Sequence, residues 1–303
     1  MIERLLDELA AALRADGVRG AACRRVLAEA RDHLGDAATE RGEQEAVRDF
    51  GSPRELARLV AAELATTATR TAVLAAFAVL GIAGLAYAAL FLTLPLAGTP
   101  DIFGGRVPGL GVAVFAGVVF APQVAFVTGC LALIRVVRVR RRGALGGAEL
   151  RLQRRRAGVA LAAGFATFAS LGLAALDFRH DLTGRWATAS LAVSASFALA
   201  FGVVAAMTLR STRPRACPDE RPVEDVFDDL APVLDRPAFR RLELSAHPWR
   251  FAVLVAVVAA VPVVLGGVAD GDPFDGLLRA ATEIVAVLGC FAVLGRPLGL
   301  RRA

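Results

Sequence analysis

The sequence contains no lysine and no asparagine, and in 303 residues it holds only three histidines, one tyrosine and four cysteines. Without lysine there is no Walker A phosphate loop and no Schiff-base amine. Neither an HExxH zinc motif nor a GxSxG nucleophile elbow occurs. Cys23, Cys130, Cys217 and Cys290 are far apart and form no CxxC, so no disulfide framework and no zinc site is expected. These absences leave few groups from which to build catalysis. The chain is not read as an enzyme, and no cofactor is implied.

Charge is also scarce, at 21% against about 25% in soluble domains. In its place, 56% of the residues are hydrophobic and the mean hydropathy is +0.55. Charge-free runs of roughly 20 residues recur, the length that about 30 Å of hydrocarbon demands. The chain therefore reads as a polytopic membrane protein. The first apolar run begins only at Thr71, so a cleaved signal peptide is not expected.

Six membrane spans are expected near 71–96, 111–134, 157–176, 187–209, 250–268 and 280–298. The connecting charges orient them. Segment Arg135–Arg156 carries nine arginines and one glutamate, which places it in the cytoplasm. Both termini and the 210–249 loop then face the same side, and Asp270, Asp272 and Asp275 face the other. This is the topology of an inner-membrane protein with cytoplasmic termini. The arginines beside the membrane are expected to meet anionic lipid. The net charge of +6 does not mark a DNA-binding domain. Residues 1–66 hold 10 Arg against 13 Asp and Glu, and so lack the basic surplus that phosphate binding requires.

Residues 1–66 have a different pattern. Ile2, Leu5, Leu6, Leu9 and Leu13 form one helical stripe that ends at Asp16-Gly17. Val26, Leu27, Ala30, Leu34 and Ala37 form a second, and Ala46, Val47 and Phe50 a third near 43–50. Gly51 can close that helix, while Ser52, Pro53 and Glu55 carry the signals that start a fourth. Four short helices can bury one another's stripes. The expected fold is all-α: a small cytosolic bundle over 1–66, then a six-helix membrane domain over 67–303.

The run Val26–Leu34 with its Asp32-His33 pair, then Glu45-Ala46-Val47, Phe50-Gly51-Ser52-Pro53 and Glu55-Leu56-Ala57, resembles the HAAS-type, or permease-prefix, domain. That module precedes the transmembrane region of many bacterial membrane proteins. The resemblance implies a signalling or interaction role, with a PadR-like transcriptional regulator as the partner, and carries no catalytic residue.

Glu29, His33 and Asp36 can share a helix face with metal-ligand spacing. A histidine held by its neighbouring carboxylates at the border of the stripe is the simpler expectation. In the 210–249 loop, Val223, Val226, Phe227, Leu230, Val233 and Leu234 follow helical spacing between acidic residues. An amphipathic helix over 222–234 is expected to dock on the bundle or on a protein partner. Asp32, His33, Phe227 and Leu230 are the candidate partner-binding residues. Within the membrane, Gln123 follows Pro122, Pro262 interrupts the fifth span, and Glu283 begins the sixth. Glu283 is expected to snorkel at the outer interface, with a solute pathway as the alternative. Ala162, Ala166, Ser170 and Ala174 form a small-residue face on the third span, expected as a packing seam. The leading functional expectation is a regulatory or scaffolding membrane protein. The alternative is a permease, or a permease component, for an apolar or amphiphilic solute.

Overall fold

The computed structural model describes residues 1–93, 110–139, 145–177, 183–211, 248–269 and 273–295. Among them there are nine helices and no strand: α1 (Ile2–Ala15), α2 (Gly20–Arg41), α3 (Glu43–Phe50), α4 (Pro53–Thr93), α5 (Leu110–Val139), α6 (Gly147–Asp177), α7 (Gly184–Ser211), α8 (Pro248–Ala269) and α9 (Pro273–Leu294). The expected amphipathic helix over 222–234, with Phe227 and Leu230, lies outside the described residues.

Two compact units are present. One comprises Met1–Ala72 with the described parts of Val139–Arg154 and Met207–Val223; the other holds the remainder. In the first, the apolar stripes meet as their spacing dictates. Leu6, Leu9 and Leu13 of α1 pack with Cys23, Ala30, Leu34 and Ala37 of α2, Ala46 of α3, and Ala57 and Ala61 of α4. Glycines set the joints. Gly17, Gly42 and Gly51 each take a positive φ, which a side chain would resist, and they stand between successive helices. Pro53 opens α4, where its missing N–H costs nothing. The Ser52 carbonyl accepts the N–H groups of Glu55 and Leu56. Thr66 is buried on α4, and its Oγ accepts the Leu145 N–H at 2.9 Å while donating to the Ala62 carbonyl at 2.8 Å. The middle of the arginine-rich connection is therefore anchored to protein through a leucine.

The second unit is built from apolar helices. Among the described residues, five helices are long and apolar enough to cross a membrane: Pro53–Leu90, Gly117–Val137, Gly147–Asp177, Gly184–Arg210 and Gly276–Leu294. Six were expected. The region of the expected fifth span forms the 22-residue helix α8, which is not among these five. The expected 280–298 span is displaced, since α9 runs Pro273–Leu294. Its first turns carry polar residues because a helix can extend beyond its apolar core, and Pro273 is suited to a first helical position.

Side-chain contacts fix the directions of these helices. Tyr87 meets Val118, and Leu80 faces Gly129, so α4 and α5 are antiparallel. Gly117 faces Ser170, and Ala132 and Val136 pack with Ala157, so α5 and α6 are antiparallel. Gly164 faces Phe201 and Gly172 faces Ser194, which makes α6 and α7 antiparallel. In the α8–α9 hairpin, the rings of Trp249 and Phe291 lie 5.0 Å apart and Gly276 faces Gly267. By contrast, α5 and α9 run parallel. Gln123 meets Glu283 at one level, and Leu131 shares a cluster with Leu288 and Phe291 further along both helices. Direction therefore alternates at every step from α4 to α9.

The seam of α6 follows expectation only in part: Ser170 faces Gly117 and Ala174 packs on the core. Ala162 and Ala166 are exposed, and the buried face is Ala157, Ala160, Leu161, Gly164, Phe168, Leu171 and Ala175. In an alanine-rich helix small residues recur on more than one face, so their spacing does not select the face. The rings of Phe168, Phe197 and Phe201 do. Phe168 stacks at 4.8 Å and 6.0 Å from the other two, with Phe201 seated over Gly164.

Candidate functional site

The polar motif of α2 divides into two roles. Arg31 reaches back to α1, where its Nη2 and Nε donate to the Glu3 carboxylate at 3.0 and 3.3 Å. That hydrogen bond, reinforced by the charge of Glu3, raises the Arg31 pKa, so the latch is always cationic. Asp32 and His33 follow on the exposed face of α2. His33 is thus not a histidine held at the border of the core stripe, as the spacing suggested. Its neighbour Leu34 takes the buried position. Glu29 turns to Arg25, 3.8 Å away. Among the described residues no three His, Cys, Asp or Glu side chains come together as a metal site. At the same end of α1, the terminal ammonium and the Ile2 N–H donate to Glu43 Oε1 at 2.6 and 3.0 Å, and these bonds hold the Glu43 pKa below the ordinary carboxylate range. Two ion pairs thus tie the first turn of α1 to α2 and α3, while Asp32 and His33 are presented outward.

A second polar site lies among the apolar helices. The Gln123 side-chain amide donates from Nε2 to Oε1 of Glu283 at 2.6 Å. Because α9 begins at Pro273, Glu283 lies halfway along a 22-residue helix and not at its outer end. Gln123 lies near the middle of the 30-residue α5. Both residues are partly exposed. Sequence reading had identified each of these polar residues, but not that they meet.

Pro122, beside Gln123, explains a further contact. Proline has no N–H to give to the carbonyl four residues earlier, which is that of Val118. The Tyr87 hydroxyl of α4 donates to this carbonyl at 2.8 Å and takes the place of the missing helical bond. The offset was readable from Pro122; the identity of the donor required the helix register. Arginines also depart from expectation. Arg135 and Arg156 bound a run expected to meet lipid head groups, yet they are only 3% and 1% exposed. Gln153 is equally buried. On α6, Gln153 and Arg156 are three residues apart and share a buried face, while Arg151 and Arg155 are exposed.

Residues 6–58 match the HAAS family. Neither a curated protein nor a solved structure matches the chain. The match covers α1 to α3 and the start of α4, the part in which Asp32 and His33 are presented. The HAAS match is confined to this stretch, and the apolar helices fit a membrane protein.

Proposed function

We propose that this chain is a multi-pass membrane protein of the bacterial inner membrane with a regulatory or scaffolding role and no catalytic one. Its cytosolic HAAS bundle, residues 1–66, binds a soluble regulatory protein of the PadR-like kind. The observation that carries this reading is the HAAS match at 6–58 together with the outward placement of Asp32 and His33 on a bundle closed by its own core. The bundle does not use these two polar residues for its own cohesion, and an accessible charged face suits electrostatic recognition of a partner. The loop residues Phe227 and Leu230 belong to the same proposed surface by their helical spacing.

The proposed topology has six crossings, with both termini cytoplasmic. Support comes from the alternation of helix direction: α9 runs parallel to α5, so the three helices between them reverse the chain an even number of times in all. α8 contains 22 residues, about 33 Å at 1.5 Å per residue, which suffices for about 30 Å of hydrocarbon.

In-cell cross-linking of the full chain tests the partner. A PadR-like regulator should be captured by the parent chain and lost from the double variant Asp32→Arg, His33→Ala, with insertion in the membrane unchanged. Equal capture by both chains, or capture by neither, counts against the reading.

A second reading, a permease or permease component for an amphiphilic solute, is favoured by one observation: the Gln123–Glu283 pair halfway along two apolar helices. Ionisable residues within the bilayer commonly mark pathways.

A further inference from the structure

Two of the four cysteines lie on the helices of the membrane domain, Cys130 on α5 and Cys290 on α9. The contact between Gln123 and Glu283 sets the register of these parallel helices, since the two side chains meet at 2.6 Å. Cys130 stands seven residues after Gln123, and Cys290 stands seven residues after Glu283. Seven residues make two helical turns to within about 20° and advance the chain by about 10.5 Å. Each cysteine therefore shares a face with the residue that makes the contact, at the same distance beyond it. The helices stay together at that level. Leu131 and Phe291, which follow the two cysteines in sequence, are buried in one cluster, with Leu288 packed against it. The register thus brings positions 130 and 290 to one level of the α5–α9 seam. Both thiols are free and half-buried.

What such a pair can hold follows from its donors. Thiolate is a soft ligand and selects soft metal ions. Zinc is bound through four ligands, and among the described residues no third His, Cys, Asp or Glu joins the two thiols as a metal group. Calcium and magnesium require shells of oxygen. Copper(I), a closed-shell monovalent ion, is satisfied by two thiolates in line and needs no water, which suits an apolar seam. A disulfide would draw the sulfurs to about 2.05 Å and require an oxidant. A bridging metal leaves them about 4.6 Å apart, at about 2.3 Å for each metal–sulfur bond. That span suits two helices held apart by side chains as large as Leu131 and Phe291.

We propose that Cys130 and Cys290 form a two-coordinate copper(I) site that bridges α5 and α9. Binding makes two copper–sulfur bonds and breaks two S–H bonds. The two protons pass to the buffer, the product is a bis-thiolate complex, and no atom changes oxidation state. The site is independent of the HAAS partner and of any solute path.

The test uses the purified full chain in detergent with Cys23→Ser and Cys217→Ser, so that only the proposed pair remains. Copper(I) is supplied anaerobically from a chromophoric chelator, without thiol reductant. Transfer is read from the loss of chelator colour and from the ultraviolet charge-transfer band of copper thiolate. One ion per monodisperse chain is expected. Its affinity should rise about a hundredfold per pH unit while both thiols are protonated in the free chain, because two protons leave. Cys130→Ser and Cys290→Ser, each added to this background, should abolish the one-to-one complex. A rise of only about tenfold per pH unit would mean that a single thiol binds, and it overturns the site. So does equal binding by either single-cysteine chain, or an absence of transfer to the two-cysteine chain. One ion shared between two chains, with dimers appearing as it binds, places the metal between copies and likewise counts against a bridge from α5 to α9.

Discussion

Pro122 and Tyr87 show how one residue's deficiency places a demand on another. Proline leaves the Val118 carbonyl without its helical donor, and the sole tyrosine of the chain supplies one. Tyr87→Phe should therefore destabilise the membrane domain by about 1 kcal/mol, within the range of interhelical hydrogen bonds measured in membranes. Pro122→Ala returns an N–H to position 122, so Tyr87→Phe made in that background should cost less than half as much. Unfolding in mixed micelles with increasing denaturing detergent measures both differences, and equal costs would show that the hydroxyl does not serve this carbonyl. At this scale the sequence was partly legible. Leu9, Leu13 and Leu34 stood out as core by their helical spacing. The pairing of Gln123 with Glu283 was not legible, since the depth of Glu283 depends on where α9 starts. Hydropathy marks the apolar core of a helix and is silent on the polar turns that precede it.

Among elements, helix faces were harder to read than helices. α1 and α3 have strong contrast between apolar and charged sides, and their spacing identified the buried stripe. α6 lacks that contrast. Its small residues fall on several sides, and the packed face is chosen by the large ring of Phe201 over Gly164. A β-carbon at Gly164 would stand 2.6 Å from two atoms of that ring. Gly164→Ala should thus destabilise the α6–α7 pair by about 1–3 kcal/mol, the usual cost of overpacking. Gly158 lies on the same helix and has nothing within 4 Å of such a carbon. Gly158→Ala should be neutral or mildly stabilising, because alanine is the better helix former. Thermal melting of the two variants in one detergent compares them. A similar melting point for both would mean that the ring moves aside without cost.

For the molecule as a whole, the alternating order of α4 to α9 specifies a single pattern of sidedness. In a chain with the native cysteines replaced, thiols introduced at Arg4 and at Arg250 should react from the same side of the membrane, and one at Pro273 from the other. Impermeant maleimide added to spheroplasts and to inverted vesicles distinguishes them. Reaction of the Arg250 and Pro273 positions from one side would mean that α8 does not cross. The arginine count gives the expected orientation, because positive-inside bias is a property of sequence. What it could not supply was the parallel pairing of α5 with α9, which brings together helices made far apart in the chain.

That separation has a consequence in time. Gln123 and Glu283 are 160 positions apart. At 5 to 20 residues per second, roughly 8 to 32 s of synthesis pass between them. Throughout that interval α5 carries an amide whose carboxylate does not yet exist. Every earlier contact of the membrane domain, including the cover that Tyr87 gives to Val118, can close first. The bond between α5 and α9 is then a late event of biogenesis, made only by a chain whose last helix has arrived in register. An unpaired Gln123 on a finished α5 is a recognisable mark of an incomplete molecule, open to whatever insertase or membrane protease surveys the bilayer during those seconds.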